Sequence, residues 1–131
     1  MYYIHTLKHL YNCRLMSSIE DRIRRGESFI VANDGQYLGK LCLNRFDEES
    51  IANQFGPYGS RFSSTSINNQ FSVYGSRFSA LSPFNGFTQT PPRIYLRGVF
   101  WGVLTVNSWV YLQKLNPLDL NKWMSDNGLF Y

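Results

Sequence analysis

The chain has 131 residues, of which 44% are apolar and 17% aromatic, and it carries a net charge of +4. That length suits a single domain whose core needs neither disulfides nor metal, and the aromatic content excludes an intrinsically disordered chain. The two cysteines, Cys13 and Cys42, are too few for a secreted disulfide scaffold. Because no apolar run approaches the roughly 20 residues that span a bilayer, we expect a cytoplasmic protein without a membrane partner.

The first 16 residues form a leader of uncertain status. Ile4, Leu7 and Leu10 fall at helical spacing, which permits a short amphipathic helix. The segment could equally be upstream sequence ahead of a natural start at Met16. The sequence alone leaves both interpretations open.

In the leader, His5, His9 and Cys13 follow one another at intervals of four residues. On a helix they would share a face, and neighbouring members could chelate a transition metal. Three ligands in one helical row span about 12 Å, which is too far for one ion. They are therefore weak candidates, and the sequence predicts neither a metal site nor a cofactor.

A short helix and then a hairpin are predicted directly after the leader. Ser17 and Glu20 form a capping box at the start of the stretch SIEDRIRR, and Gly26 is a natural helix stop. Farther along, Asp34-Gly35 lies between two β-prone runs, which is typical of a β-hairpin. We assign this hairpin to residues 29–44.

A second hairpin and a helix are predicted towards the end of the chain. The stretch GVFWGVLTVN (98–107) repeats the pattern of GQYLGKLCLN (35–44) at an offset of 63 residues, which predicts a related hairpin over 93–107. Asn116 and Pro117 suit the N-cap and first position of a helix, which we expect over 117–127. The apolar face of that helix consists of Leu120, Trp123 and Met124, and Trp123 is expected to dock on the sheet.

Between the hairpins the chain repeats itself every 16 residues, in copies that span 45–60, 61–76 and 77–92. The residues that recur at this interval are Arg45, Arg61, Arg77 and Arg93; Phe46, Phe62 and Phe78; Ser50, Ser66 and Ser82; Asn53, Asn69 and Asn85; and Phe55, Phe71 and Phe87. We expect short strands or ordered turns that stack copy on copy and merge the phenylalanines into one buried strip. Gly59 and Gly75 are expected to supply positive φ.

These elements predict a mainly β (α+β) fold. Two related hairpins would flank three stacked 16-residue repeats, with short helices near both ends. Residues 17–131 would form one domain, and the leader 1–16 would lie outside it.

Three motifs of the chain carry a resemblance: Y-G-S-x-F-S turns, S-[IP]-x-N steps and a closing hairpin of the form G-x-[FY]-x-G-x-L-T-x-N. Over about residues 29–127 the chain resembles a set of small bacterial proteins with no assigned function. The resemblance implies a bacterial origin and a β-rich repeat fold. It brings no catalytic residue or ligand, and it does not include the leader.

No group of residues in the sequence predicts catalysis. The motif G-x-S-x-G is absent, as are the P-loop and the dinucleotide fingerprint, and both histidines lie in the leader. Asp47, Glu48 and Glu49 occur in one copy only and are interpreted as a solvated charge run. We therefore predict no catalytic residue and a protein that is not an enzyme.

The repeated arginines are the candidate binding residues. No Asp or Glu occurs from Ser50 to Leu118, whereas that stretch holds five Arg and Lys residues. The candidates are Arg45, Arg61, Arg77 and Arg93, together with Tyr58 and Tyr74. They could bind a nucleic acid strand or an acidic protein, or each guanidinium could stack on an aromatic ring of the next copy in a structural role.

The sequence favours a non-enzymatic binding or assembly module that works through protein–protein contacts. Repeats form extended surfaces that suit a protein partner or self-association. The alternative is the binding of a nucleic acid or another polyanion along the arginine column.

Overall fold

The structure, a computed structural model, describes residues 18–131, so the leader with His5, His9 and Cys13 lies outside the described residues. Within residues 18–131, two helices, five strands and one 3-10 helix follow in chain order: α1 (Ile19–Arg24), β1 (Phe29–Val31), β2 (Tyr37–Lys40), β3 (Arg93–Leu96), β4 (Val99–Leu104), β5 (Lys114–Leu115), the 3-10 helix (Pro117–Asp119) and α2 (Leu120–Asp126). This is the mainly β, α+β fold that the sequence predicts.

The five strands form one sheet in the order β2-β1-β3-β4-β5. Strands β1 and β2 form the first predicted hairpin, and β3 and β4 form the second. The two hairpins join through their first strands, which run antiparallel with Ile30 opposite Ile94. β5 adds a short parallel strand beside β4. Both hairpins are confirmed, whereas nothing in the sequence predicts their union in one sheet.

Helix α1 is bounded by a serine and a glycine. The N-cap is Ser18, whose hydroxyl accepts the backbone N–H of Asp21, so the prediction of Ser17 is wrong by one residue. Gly26 has a φ of 71° and follows the C-cap, as predicted. The N–H of Gly26 donates to the carbonyl oxygen of Ile23, and the N–H of Glu27 donates to the carbonyl oxygen of Arg22. These two bonds close the helix with a Schellman motif.

The C-terminal helix starts as a 3-10 turn and becomes α-helical at Leu120. The Asn116 side chain accepts the N–H of Leu118, as expected of the N-cap. Leu120 and Met124 are buried in the core. The Trp123 ring meets the Trp101 ring of β4 edge to face, with 5.1 Å between their centroids. The predicted docking of this helix on the sheet is confirmed.

The segment between β2 and β3 is a series of β-turns. Between Asn44 and Thr88, backbone N–H groups repeatedly donate to the carbonyl oxygen three residues earlier. Examples are the N–H of Ser50, which donates to Asp47, and the N–H of Asn53, which donates to Ser50. We call residues 44–90 the turn series. Of the two possibilities predicted for this segment, short strands or ordered turns, the described residues adopt turns.

Equivalent positions of the turn series make equivalent hydrogen bonds. The amide nitrogens of Asn53, Asn69 and Asn85 each donate to the carbonyl oxygen six residues earlier, at 3.1, 3.0 and 3.1 Å. Their amide oxygens accept the N–H two residues later, at 2.9, 3.0 and 2.9 Å. The 16-residue interval of the sequence therefore corresponds to one recurring backbone arrangement.

The turn series contacts the sheet through aliphatic side chains. Ile51 and Ile67 pack in one core cluster with Ile30 and Ile94, and Pro83 is fully buried at the third equivalent position. The serine before each of them is also completely buried: Ser50, Ser66 and Ser82. The turns that begin at these serines therefore face the core.

Six of the seven phenylalanines of the turn series lie on its opposite side. They are between 83% and 97% exposed: Phe46, Phe55, Phe62, Phe71, Phe78 and Phe87. The seventh, Phe84, is half-buried. The prediction of a buried aromatic strip is therefore wrong. The reason is that these six phenylalanines occupy other turns than the buried serines, and those turns face solvent.

Gly59 and Gly75 are required by a close approach of the backbone rather than by φ. Neither has a positive φ, so that prediction is also wrong. A Cβ atom on either glycine would lie 2.1 Å from the carbonyl oxygen of Asn53 or Asn69, respectively. The chain folds back against itself at this point in both copies.

We predict that Gly75→Ala lowers the free energy of unfolding by at least about 2 kcal/mol, because the new methyl group would overlap the backbone of Asn69. Urea denaturation followed by tryptophan fluorescence measures the loss. The matched control is Gly86→Ala in the same series, where a Cβ atom meets nothing within 4 Å. It should change stability by no more than about 1 kcal/mol, and equal effects of the two substitutions would contradict the packing described.

Candidate functional site

The six exposed phenylalanines form the candidate site, which we call the phenylalanine face. Each ring belongs to the third residue of a β-turn, and its N–H donates to the side chain of the turn's first residue. These first residues are Asn44, Asn53, Ser60, Asn69, Ser76 and Asn85, with distances of 2.9 to 3.1 Å. The turns thus fix the backbone from which every ring projects. The signal in the sequence is a Ser or Asn two residues before each of these phenylalanines.

Three of the four predicted arginines belong to the same face. Arg45, Arg61 and Arg77 each precede a phenylalanine and are exposed. Among the salt bridges of the described residues, none includes these three side chains. The guanidinium carbon of Arg77 lies 5.3 Å from the ring centroid of Phe78, so it contacts a ring of its own copy rather than of the next.

Arg93 does not share this arrangement. It lies in β3, where it is half-buried and stands opposite Val31 and Val103 of the neighbouring strands. The fourth position of the arginine column therefore belongs to the sheet and not to the turn series.

Tyr58 and Tyr74 point towards the sheet. The Tyr58 ring meets the Tyr37 ring edge to face, with 4.9 Å between their centroids. The Tyr74 hydroxyl donates to Asp34 in the first hairpin at 2.8 Å. Burial, together with this hydrogen bond and the Asp34 charge, raises the pKa of Tyr74 to about 12. Both half-buried tyrosines anchor the turns to the hairpin, and a role in binding stays a prediction for them.

The phenylalanine face contains two recesses that are equivalent at the 16-residue interval. The first recess is lined by Gln54, Phe55, Arg61 and Phe62, and the second by Gln70, Phe71, Arg77, Phe78 and also Phe84. Their volumes are about 720 and 750 Å³. Asn68 lines both of them, so the two recesses adjoin.

The acidic run of the first copy is mostly paired, so its interpretation as a solvated charge run is wrong for two of its three residues. Asp47 accepts a hydrogen bond from Lys40 at 2.7 Å. Glu49 accepts from Arg22 at 2.8 Å and from the Tyr37 hydroxyl at 2.9 Å. These contacts tie the first turns to α1 and β2. Glu48, the third member, is exposed.

Two carboxylates of this run have lowered pKa values. Burial by itself raises the pKa of Glu49, but the hydrogen bonds from Arg22 and Tyr37 outweigh it, and the pKa lies below 4.5. The pKa of Asp47 is lowered by the hydrogen bond from Lys40 and by the backbone N–H of Glu49. Both groups stabilise the fold in their charged form.

Comparisons add no functional information to this geometry. No protein-family model, no curated protein and no solved structure matches the chain. Within residues 18–131 there is no cluster of three His, Cys, Asp or Glu side chains that could hold a metal ion. In the same part of the chain no helix has both the length and the apolar character needed to cross a membrane.

We predict that Phe71→Ala and Arg77→Gln each change the free energy of unfolding by less than about 0.5 kcal/mol, because both side chains are exposed. In contrast, Ile67→Ala should cost about 2 to 4 kcal/mol, since Ile67 is only 3% exposed in the core. Chemical denaturation of the three variants provides the comparison. A destabilisation by Arg77→Gln as large as that by Ile67→Ala would mean that the arginine is structural.

We predict that Glu49→Gln weakens the acid sensitivity of the protein. Folding lowers the pKa of Glu49 from its ordinary value of 4.5, so the charged carboxylate stabilises the protein fully above pH 4.5. This stabilisation is lost as the pH falls through the lower pKa that Glu49 has in the folded state. Glu49→Gln should therefore be less stable than the wild type at neutral pH, with a difference that shrinks in acid. Urea denaturation at a series of pH values measures this difference. Glu48→Gln at the exposed neighbour is the control and should match the wild type at neutral pH.

Proposed function

We propose that the chain is a non-enzymatic binding module that contacts a protein partner through the phenylalanine face. The observation that carries this proposal is the exposure of six phenylalanines at equivalent turn positions, each more than four-fifths accessible to solvent. Single exposed apolar residues are ordinary on a protein surface, but a regular group of large ones marks an interaction site.

The energetics of aromatic burial support a protein partner. Covering a fully exposed phenylalanine contributes about 1.5 to 3 kcal/mol, and aromatic residues are prominent among the residues that dominate protein interfaces. The turn hydrogen bonds hold the backbone at each ring before binding. Less conformational entropy is therefore lost when the partner docks.

The edges of the sheet offer little room for a partner strand, which favours recognition through side chains. The outer edge of β2 is occupied at its last residue, because the N–H of Lys40 donates to the backbone carbonyl of Glu49 and the carbonyl oxygen of Lys40 accepts from the N–H of Ile51. The other edge strand, β5, has two residues. Addition of a partner strand at either edge is thus poorly supported, whereas the phenylalanine face is open.

A second candidate function is the binding of a nucleic acid or another polyanion. It is favoured by the exposed Arg45, Arg61 and Arg77, which have no carboxylate partner among the described salt bridges. Arginine beside aromatic rings suits phosphate groups and stacked bases. The cytoplasmic location expected from the sequence stays a prediction under either function.

We predict that the Phe55→Ser/Phe71→Ser double variant loses the protein partners that the wild-type chain captures from a nuclease-treated lysate of its native organism. The loss follows because the substitutions remove two aromatic contacts without disturbing the core. Quantitative mass spectrometry of the captured proteins, with matched amounts of folded bait, gives the measurement.

The control variant is Tyr111→Ser, which removes a fully exposed aromatic ring outside the turn series. It should retain the same partners as the wild type. If the double variant and the control capture identical proteins, the phenylalanine face is not the interface. Capture that disappears on nuclease treatment would favour the second candidate function.

A further inference from the structure

The two adjoining recesses offer the same chemistry twice. Both contain two exposed phenylalanine rings, one arginine and one glutamine side chain, the second adds the half-buried Phe84, and neither is lined by a carboxylate. Asn68 lines both recesses, so they adjoin. A single extended ligand can therefore occupy both recesses, provided that it repeats its own chemistry along its length.

The recess geometry also limits the number of complete subsites to two. Sixteen residues before Phe55 stands Gly39 in β2, which has no ring. Sixteen residues after Phe78 stands Ile94, which is buried in β3. Within the described residues, only the central part of the turn series thus combines two exposed phenylalanines with an exposed arginine at these positions.

The charge of the recesses indicates an acidic ligand from outside the chain. Their arginines, Arg61 and Arg77, lie in a stretch without any Asp or Glu. Five of the nine acidic residues already form salt bridges within the chain: Asp21, Glu27, Asp47, Glu49 and Asp126. A second copy of the protein therefore has few carboxylates left to neutralise these guanidinium groups.

The ratio of rings to charges favours a peptide over a nucleic acid. The first recess supplies two phenylalanines for one arginine, and the second supplies three for one arginine. Nucleic acid binding draws most of its affinity from many phosphate contacts, and three exposed arginines in the turn series supply few. Apolar side chains next to carboxylates, by contrast, match both the rings and the guanidinium group of each recess.

We propose that the two recesses are successive subsites for one extended segment of a partner protein, in which acidic side chains stand next to large apolar ones. This inference rests on the proposed function, because it names the ligand of the phenylalanine face. The apolar side chains of the segment pack between the rings, and its carboxylates pair with Arg61 and Arg77.

The first experiment selects random linear peptides displayed on phage against the full chain, with the Phe62→Ser/Phe71→Ser variant for counter-selection. Enriched peptides should place Asp or Glu beside large apolar residues. Enrichment without acidic residues would overturn this inference and leave the proposed function intact, because such peptides would still require the phenylalanines. Failure to enrich any peptide that distinguishes the wild type from the variant would overturn both.

The second experiment measures the affinity of the best peptide by fluorescence polarisation. Arg61→Gln and Arg77→Gln should each weaken binding about fivefold, and the double variant about 25-fold, if both subsites are filled at once. Lys122→Gln removes an exposed charge from α2 and should leave the affinity unchanged. Dependence on a single arginine would overturn the two-subsite model.

Two further measurements test whether a nucleic acid or a second copy of the chain occupies the recesses instead. Tighter, arginine-dependent binding of a single-stranded oligothymidylate than of any selected peptide would overturn the peptide in favour of a nucleic acid. Self-association in analytical ultracentrifugation that disappears in the Phe62→Ser/Phe71→Ser variant would assign the face to a second copy of the chain. The expected results are weak oligothymidylate binding and a sedimentation profile that the substitutions do not change.

Discussion

The turn series depends on hydrogen bonds from the backbone to the first side chain of each turn. A chain that forms neither helix nor ladder over residues 51–92 must satisfy its backbone groups locally. Ser and Asn do so by accepting the N–H two residues later, and asparagine also donates to an earlier carbonyl oxygen. These bonds also hold the backbone from which the exposed rings project.

The same bonds account for the 16-residue interval. The turns of the second copy begin at Ser60, Ser63, Ser66, Asn69 and Ser72, and the first turn of the third copy begins at Ser76. Four steps of three residues and one step of four thus make one copy. The longer step contains Gly75, where the backbone approaches the carbonyl oxygen of Asn69. The interval is therefore a consequence of turn geometry and not of strand or helix length.

Local signals in the sequence were sufficient for the hairpins and the C-terminal helix. Asp34-Gly35 forms the first hairpin turn with Gly35 at a φ of 91°, and Asn116 caps the helix as its side-chain chemistry requires. The repeat was also visible, because Asn53, Asn69 and Asn85 recur at one interval.

The features that could not be predicted are those set by packing over long distances. A repeat interval does not reveal which turns face the core, and the apolarity of phenylalanine by itself predicts an interior position. Two examples join residues far apart in sequence: the ion pair between Glu49 and Arg22, and the pairing of β1 with β3. The two recesses depend on how consecutive turns are placed against each other, and spacing alone does not indicate that.

The separation of the buried turns from the exposed ones has a consequence for evolution. Side chains such as Ile67 hold the series on the sheet, whereas Phe71 and Arg77 contribute no comparable packing. Selection for stability therefore constrains one side of the series and leaves the opposite side open to mutation. Related chains can acquire new ligand preferences by exchanging outward residues, while the scaffold beneath them is conserved.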